Sequence, residues 1–355
     1  MNPILNVLEQ FGIDAAVVPH GNGHINNTFL VDSKPRVILQ RINTSIFKKP
    51  EEVMENIMAV TAYLRKKIAE NGGDPARETM TFLTTKDGLP YYKTADGDFW
   101  RACYFVEDTV CLEVAKSAED FAEVAHAFGR FQRMLADFPA DQLHETIERF
   151  HDTPNRFAQL EEAIAADRVG RVASVTDEIA AVRRCAKYVS AIVDGIAEGT
   201  VPLRVTHNDT KLNNVLLDAT TRKGICVIDL DTVMPGSLLY DFGDAMRTGA
   251  STGAEDETDL DKVQFDLAKF EAFTAAFLEE LGDSMTARER ELLPLSALII
   301  TIEQGSRFLA DHINGDVYYH IHRENHNLDR ARTQIKLVSD IENLLPKMQE
   351  IVKKF

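Results

Sequence analysis

The chain has 355 residues, of which 45% are hydrophobic and 27% charged, and a formal net charge of −17. That length implies two lobes rather than one core, and the acidic balance excludes a nucleic-acid or anionic-membrane surface, because both need a basic face. Cys103, Cys111, Cys185 and Cys226 form no C-x-x-C pair, which excludes a zinc framework or disulfide scaffold and fits reduced thiols in a cytoplasmic protein.

Residues 2–11 are expected as a short amphipathic helix without the basic region and long apolar core of a signal peptide. A strand over 16–18 follows, then a Gly-containing turn running into a strand up to Val31, then a strand over 37–40. Such a strand–turn–strand element lets backbone N–H groups lie over phosphates, although it lacks both the Walker and the dinucleotide glycine patterns. Residues 50–67 carry Val53, Ile57, Val60 and Leu64 at helical spacing. Strands are predicted over 79–83, 91–94 and 99–106. From Glu119 the texture turns helical: Phe121, Val124, Phe128, Phe131, Leu135 and Phe138 form a buried stripe. Further helices are predicted over 152–170, 174–196, 241–247, 265–281, 286–314 (kinked at Pro294) and 329–353, with an acidic loop over 251–261. The most apolar run, 292–302, is too short to span a bilayer.

The chain is organised around residues 204–235, RVTHNDTKLNNVLLDATTRKGICVIDLDTVMP. Two apolar runs, 215–217 and 225–228, flank turn chemistry and predict a hairpin. If Asp218 pairs near Ile225, the register sets Asn214 opposite Asp229, and Asp209, Asn214, Asp229 and Asp231 are expected on one rim. Carboxylates gathered there repel each other unless a cation sits among them, and oxygen donors of this kind suit Mg²⁺. The spacing His207-x-Asp209-x-x-x-x-Asn214 matches the catalytic loop of protein kinases, with Asp as base and Asn on the metal. Asp229 follows on the next strand, where the second metal-binding Asp belongs. The rival reading is a surface hairpin with solvated acids. Asp241-Phe242-Gly243 spells the kinase metal tripeptide but lies off the hairpin, so Asp241 and Asp244 are expected to position the loop or cap the next helix.

These motifs, H-N-D-x-x-x-x-N and V-I-D-L-D, resemble those of the aminoglycoside phosphotransferase/choline kinase superfamily. The segments GNGHINNTFLV, RVTHNDTKLNN, IDLDTVMPGSLLYDFGDAMR and RTQIKLV, spread from Gly21 to Val338, resemble most closely its members that act on N-acetylhexosamines. The resemblance implies an α+β, two-lobed protein-kinase-like fold. Its N-lobe would span residues 1–105, an antiparallel sheet plus a helix that binds nucleotide. A larger, mostly helical C-lobe, 106–355, would hold the catalytic hairpin and the sugar. ATP and a small sugar are the partners it implies, and a monomer or weak oligomer is expected. Mg²⁺ would assist transfer of the γ-phosphate to the anomeric hydroxyl of GlcNAc or GalNAc.

Carried over by residue, Asp209 would be the base, Lys211 would neutralise the γ-phosphate, and Asn214 and Asp229 would hold Mg²⁺ with Asp231 as an outer partner. Gly21, Asn22, Gly23, His24 and Thr28 would lie over the phosphates, and Tyr104 and Glu107 would bound the hinge facing adenine. Arg247, Arg307 and Tyr318 would contact the sugar, with internal salt bridges the alternative for the two arginines. One departure stands out: Gln40 occupies the third-strand position where a lysine usually binds the α/β-phosphates, and Arg41 would point to the other face. The alternatives are a kinase for choline, homoserine or an aminoglycoside, a nucleotide-binding regulator without activity, and a protein kinase, which the lack of an A-P-E segment argues against.

Overall fold

The computed structural model describes residues 3–21 and 25–355. In chain order the elements are α1 (Pro3–Gln10), β1 (Val17–Pro19), β2 (Asn27–Val31), β3 (Val37–Ile42), α2 (Pro50–Glu70), α3 (Pro75–Glu78), β4 (Tyr92–Lys93), β5 (Phe99–Tyr104) and β6 (Thr109–Cys111). Then come α4 (Ala118–Met134), α5 (Thr153–Ala166), α6 (Thr176–Arg184), α7 (Ala191–Ala197) and β7 (Arg204–Thr206). The hairpin strands β8 (Val215–Asp218) and β9 (Gly224–Val227) precede α8 (Leu238–Gly249), α9 (Leu267–Leu281), α10 (Ala287–Ile313) and α11 (His326–Val352). The architecture is the mixed α+β arrangement expected, strand-rich first and helical later. No helix among the described residues is long and apolar enough to cross a membrane.

The chain forms two compact units. The first takes in Met1–Cys111, Met134–Glu148 and Asn214–Pro235; the second takes in Leu112–Arg133, Arg149–Asn213 and Gly236–Phe355. A single division after residue 105 therefore differs from the spatial grouping. The hairpin joins the strand-rich unit because β8 pairs with β6, Thr109 opposite Asp218.

In the first unit five strands pair antiparallel in the order β1-β2-β3-β5-β4. Strand alternation gives the sheet two characters. On one face Val31, Val37, Leu39, Trp100 and Ala102 pack under Val7, Leu8 and Phe11, which is what the apolar side of α1 buries against. The opposite face carries a polar row, Thr28–Gln40–Arg101, set by the pairings Thr28↔Gln40 and Gln40↔Arg101. Residues 79–83 do not form a strand. They contribute one bridge, Phe82 to Cys103, with Leu83 N–H donating to Ala102 O at 2.8 Å.

In the second unit α10 packs against α5, α8 and α11. It starts with a capping box between Thr286 and Glu289, and Pro294 lies inside it. The aromatic stripe of α4 is buried through Phe121, Phe128 and Phe131, while Phe138 lies past the helix end and is half-exposed. Phe270, Phe273 and Phe277 of α9 surround Phe242 at ring distances of 5.6–6.0 Å, each burial contributing roughly 1.5–3 kcal/mol. The single helix expected over 174–196 is two helices, α6 and α7, separated by a 3-10 turn at Cys185–Lys187; nothing in the local sequence explains the break. All four cysteines are free thiols.

Candidate active site

The loop over 207–210, the expected catalytic loop, is held from α8. Asp241, one turn into that helix and fully buried, accepts the backbone N–H of His207 at 3.0 Å and of Asn208 at 2.7 Å. It also accepts from Gln132 Nε2 at 2.6 Å, and Gln132 in turn donates to Val205 O. Asp244 accepts the backbone N–H of Thr210 at 2.9 Å. Asp241 thus positions the loop, and Ser237 caps α8 instead. Burial raises the Asp241 carboxyl, opposed by His207 and these backbone donors. Asn208 can follow the loop's sharp course because it adopts φ 65°, a left-handed conformation that Asn tolerates. His207 is a structural histidine: its ring is buried against Phe128 and Phe131, and its Nδ1 accepts the Asp209 N–H at 3.2 Å.

The loop presents Asp209 and Lys211 to each other. Lys211 Nζ lies 2.7 Å from Asp209 Oδ1. Burial works to raise the Asp209 carboxyl, but the Lys211 ammonium, with His207 and Arg247, overcomes it and holds the group below the usual carboxylate range. Burial likewise works against charge on Lys211, and Asp209 reverses that, so the ammonium is held firmly protonated.

In the first unit, Asn214 and Asp229 stand at the open end of the hairpin. The register differs from the expectation by one residue. Val215 pairs with Val227 and Ile228 N–H donates to Asn214 O at 2.9 Å, so Asn214 faces Ile228. A bulge between Leu216 and Leu217, where Leu217 pairs with Gly224, absorbs the extra residue. Asp229 leaves the strand in the left-handed region, φ 60° and ψ 56°, and opens a 3-10 turn over Leu230–Thr232. The donor set of one amide and one carboxylate is hard oxygen chemistry, which fits a divalent ion that completes its shell with water and phosphate. Among the described residues no three His, Cys, Asp or Glu side chains gather into a metal cage, and an ion of that kind needs none.

Asp231 sits on the buried side of this turn. It forms an ion pair with Arg101, and Asn26 Nδ2 donates to its Oδ2 at 2.5 Å. Arg101 Nε donates to Gln40 Oε1 at 3.0 Å, and Gln40 Nε2 donates to Thr28 Oγ1 at 3.1 Å. Arg41 points away to Asn27 and Asp98. Arg101 escaped the sequence reading, and Asn26, inside the Gly21-to-Thr28 stretch expected over the phosphates, was not expected to pair with Asp231. A lone charge inside the apolar run FWRACYF was the available signal, since a buried guanidinium requires a partner.

The other residues expected on the nucleotide side are variously placed. Gly21 has φ 73°, while Asn22, Gly23 and His24 lie outside the described residues. At the expected hinge, Tyr104 N–H donates to Thr81 O at 2.9 Å, the Glu107 carboxylate pairs with Arg36, and Glu107 O accepts from Arg77 at 2.9 Å.

The residues expected to face the acceptor lie in the second unit. Arg247 is buried and committed to Asp244 at 3.0 Å and Glu255 at 2.8 Å, the internal pairing that stood as the alternative. Arg307 lies 5.6 Å from the ring of Phe150 and 5.7 Å from that of Tyr319. Its Nη1 donates to Gln304 Oε1 at 3.0 Å, and Gln304 Nε2 donates to the Tyr319 hydroxyl at 3.1 Å. Arg156 is near enough that burial and the Arg307 charge lower its pKa. Tyr318 is 63% exposed. Its loop is shaped by Asp311, whose carboxylate accepts the backbone N–H groups of Val317, Tyr318 and Tyr319 at 2.8–3.0 Å.

Residues 16–281 match the model of a phosphotransferase enzyme family. Among solved structures, a microcompartment-associated aminopropanol kinase is similar at 16% identity and TM-score 0.66, over 98% of each chain. An aminoglycoside phosphotransferase from Alicyclobacillus acidocaldarius is similar at 15% identity and TM-score 0.63, over 100% of this chain and 97% of the other. A choline kinase from Cryptosporidium parvum is similar at 13% identity and TM-score 0.60, over 98% and 96%.

Proposed function

The chain belongs to the phosphotransferase enzyme family of small-molecule kinases, and from that premise we propose that it transfers the γ-phosphate of ATP to the anomeric hydroxyl of an N-acetylhexosamine. Kinases of this family use ATP with a divalent metal, and here Asn214 and Asp229 would hold Mg²⁺. Bound Mg²⁺ would spread the charge of the transferring phosphoryl group.

The protein's own part is positioning and charge. Asp209, kept ionised by Lys211, would orient the sugar C1 hydroxyl and take its proton late in the transfer. Lys211 would place its ammonium toward the γ-phosphate, so the pair would separate as charge develops on the phosphoryl oxygens. Thr28 and the Gly21 turn would line the triphosphate, and Tyr104 and Glu107 would border the adenine.

The observation that carries the substrate class is Arg307, set beside the rings of Phe150 and Tyr319 and donating to Gln304, whose amide in turn donates to the Tyr319 hydroxyl. The Arg307 guanidinium, only partly offset by the Glu303 carboxylate, gives a cationic acceptor such as choline, an aminoalcohol or an aminoglycoside no carboxylate of its own to pair with. Rings, an amide and guanidinium donors suit a neutral ligand with hydroxyls and one acetamido carbonyl. In this reading Arg307 and Tyr318 contact the sugar, and Arg247 stiffens the catalytic loop through Asp244. ADP release measured across N-acetylhexosamines, hexoses, choline, homoserine and aminoglycosides tests it. Turnover confined to the N-acetylhexosamines is expected, and preferential turnover of a cationic acceptor would refute it.

A further inference from the structure

Gln40 poses a physical problem: a neutral side chain stands where kinases of this shape usually place a cation. The first unit holds a cation one strand over. Arg101 is the cross-strand partner of Gln40, is 2% exposed, and is the charged end of a row that runs Thr28–Gln40–Arg101–Asp231 across three strands to the turn after Asp229. Asn26 closes the row from the other side: its amide donates to Asp231, and its Oδ1 accepts the backbone N–H of Asn43 at 2.9 Å.

A side chain as buried as Arg101, with its guanidinium paired to Asp231, is poorly placed to lie along a phosphate. Its reach is to the turn. Asp231 is two residues past Asp229, and Asp229 holds a left-handed backbone that costs a non-glycine residue free energy and persists only where the surroundings over-determine it. Two anchors do so. Ile228 is hydrogen-bonded to Asn214 on the strand side, and Asp231 is paired with Arg101 on the sheet side. The turn also packs against α2, which leaves it little room to pivot.

We propose that Arg101 is a positioning residue: through its ion pair with Asp231 it fixes the Leu230–Thr232 turn to the five-stranded sheet and so presets the Asp229 carboxylate for the metal–nucleotide complex. Gln40 then serves as the brace that holds the Arg101 guanidinium in line. The inference rests on the reading of Asp229 as a metal ligand.

The test compares wild type with R101M, D231N, R101K and the double variant R101M/D231N. ADP binding is measured by calorimetry with Mg²⁺ and with EDTA, alongside the melting temperature. Each neutralising single variant leaves one charge buried without its partner and should melt earlier. The double variant removes both charges and should recover most of that loss. The distinguishing readout is metal dependence. The Mg²⁺ concentration giving half-maximal ADP binding should rise at least about 10-fold in both singles and stay raised in the double, while ADP affinity in EDTA stays within about 2-fold. R101K, which retains charge but not the forked geometry, should fall between. A double variant with wild-type metal dependence would reduce the pair to a structural contact and overturn the proposal. Loss of ADP affinity in EDTA for R101M alone would overturn it in favour of direct phosphate binding. Wild-type ADP binding indifferent to Mg²⁺ would overturn the metal reading of Asp229 and this inference with it. A metal-dependent wild type with unaltered variants would overturn this inference alone.

Discussion

The backbone N–H of Asn208 donates to the Asp241 carboxylate across 2.7 Å, from a loop residue to a helix residue 33 positions later. With the parallel bond from His207, one buried side chain sets the course of the segment that carries Asp209. Removing it leaves two backbone donors and the Gln132 amide without their acceptor, at about 1–3 kcal/mol for each buried donor left unsatisfied. D241A should therefore lower the melting temperature clearly and, in the protein that still folds, reduce kcat by about 100-fold through displacement of Asp209. Chemical denaturation and steady-state kinetics on the same preparation check both; turnover within a few-fold of wild type would show that the loop holds its shape without this tether.

The ion pair between Lys211 and Asp209 predicts the acid side of the rate profile. Asp209 has a lowered pKa in the folded protein, so its ionised form favours the fold above the ordinary carboxyl value of 3.8, and that contribution is lost as pH falls through the lower folded value. Activity should consequently keep its base ionised well into acid. In K211M the cation is gone and burial remains, so the carboxyl should rise. The acid limb of kcat/KM against pH should move upward accordingly, and an unmoved limb would show that Lys211 does not set the protonation of Asp209.

As the proposed base, Asp209 gives a direct kinetic prediction. D209N should lose several orders of magnitude in turnover, since base and hydroxyl orientation go together, yet bind ATP with near-normal affinity. Rapid-quench turnover and equilibrium nucleotide binding measure the two sides; near-normal turnover excludes Asp209 from the chemistry.

The backbone role of Asp229 and its proposed role as a ligand are separable. Asn tolerates the left-handed region and Val does not. D229N should melt near wild type and lose Mg²⁺-dependent nucleotide binding, whereas D229V should lose stability as well, by roughly 1–3 kcal/mol. Thermal melts set beside titrations of Mg²⁺ report the split.

How far this site could be read in advance follows from the range of the interactions. The hairpin shows in the sequence because its turn and its two apolar runs are local, and so does the spacing of Asp209, Asn214 and Asp229. Its register does not, because the bulge between Leu216 and Leu217 depends on how β8 meets β6 and β9 together. Arg101 lies 130 residues from Asp231, and only the sheet register reveals that Gln40 is its neighbour. The literal tripeptide Asp241-Phe242-Gly243 misleads because each residue has its own structural cause. Asp241 ties down the loop, Phe242 fills the Phe270–Phe273–Phe277 cluster, and Gly243 lets α8 approach α10, where a Cβ would meet Ser296 O at 2.6 Å.

That close approach gives a further stability prediction. G243A should destabilise the protein by about 1–3 kcal/mol, read from denaturant midpoints, with the metal dependence of nucleotide binding unchanged.

The Asp311 carboxylate shapes residues 317–319 through their main-chain amides alone. Its grip is blind to which side chains those residues carry. Exchanging Val317 or Tyr318 should therefore change the side chains this segment exposes without redrawing the path of the chain. With Tyr318 in its proposed place against the acceptor, this is a segment where new specificity could be sampled at little risk to the fold, for as long as residue 311 keeps its carboxylate.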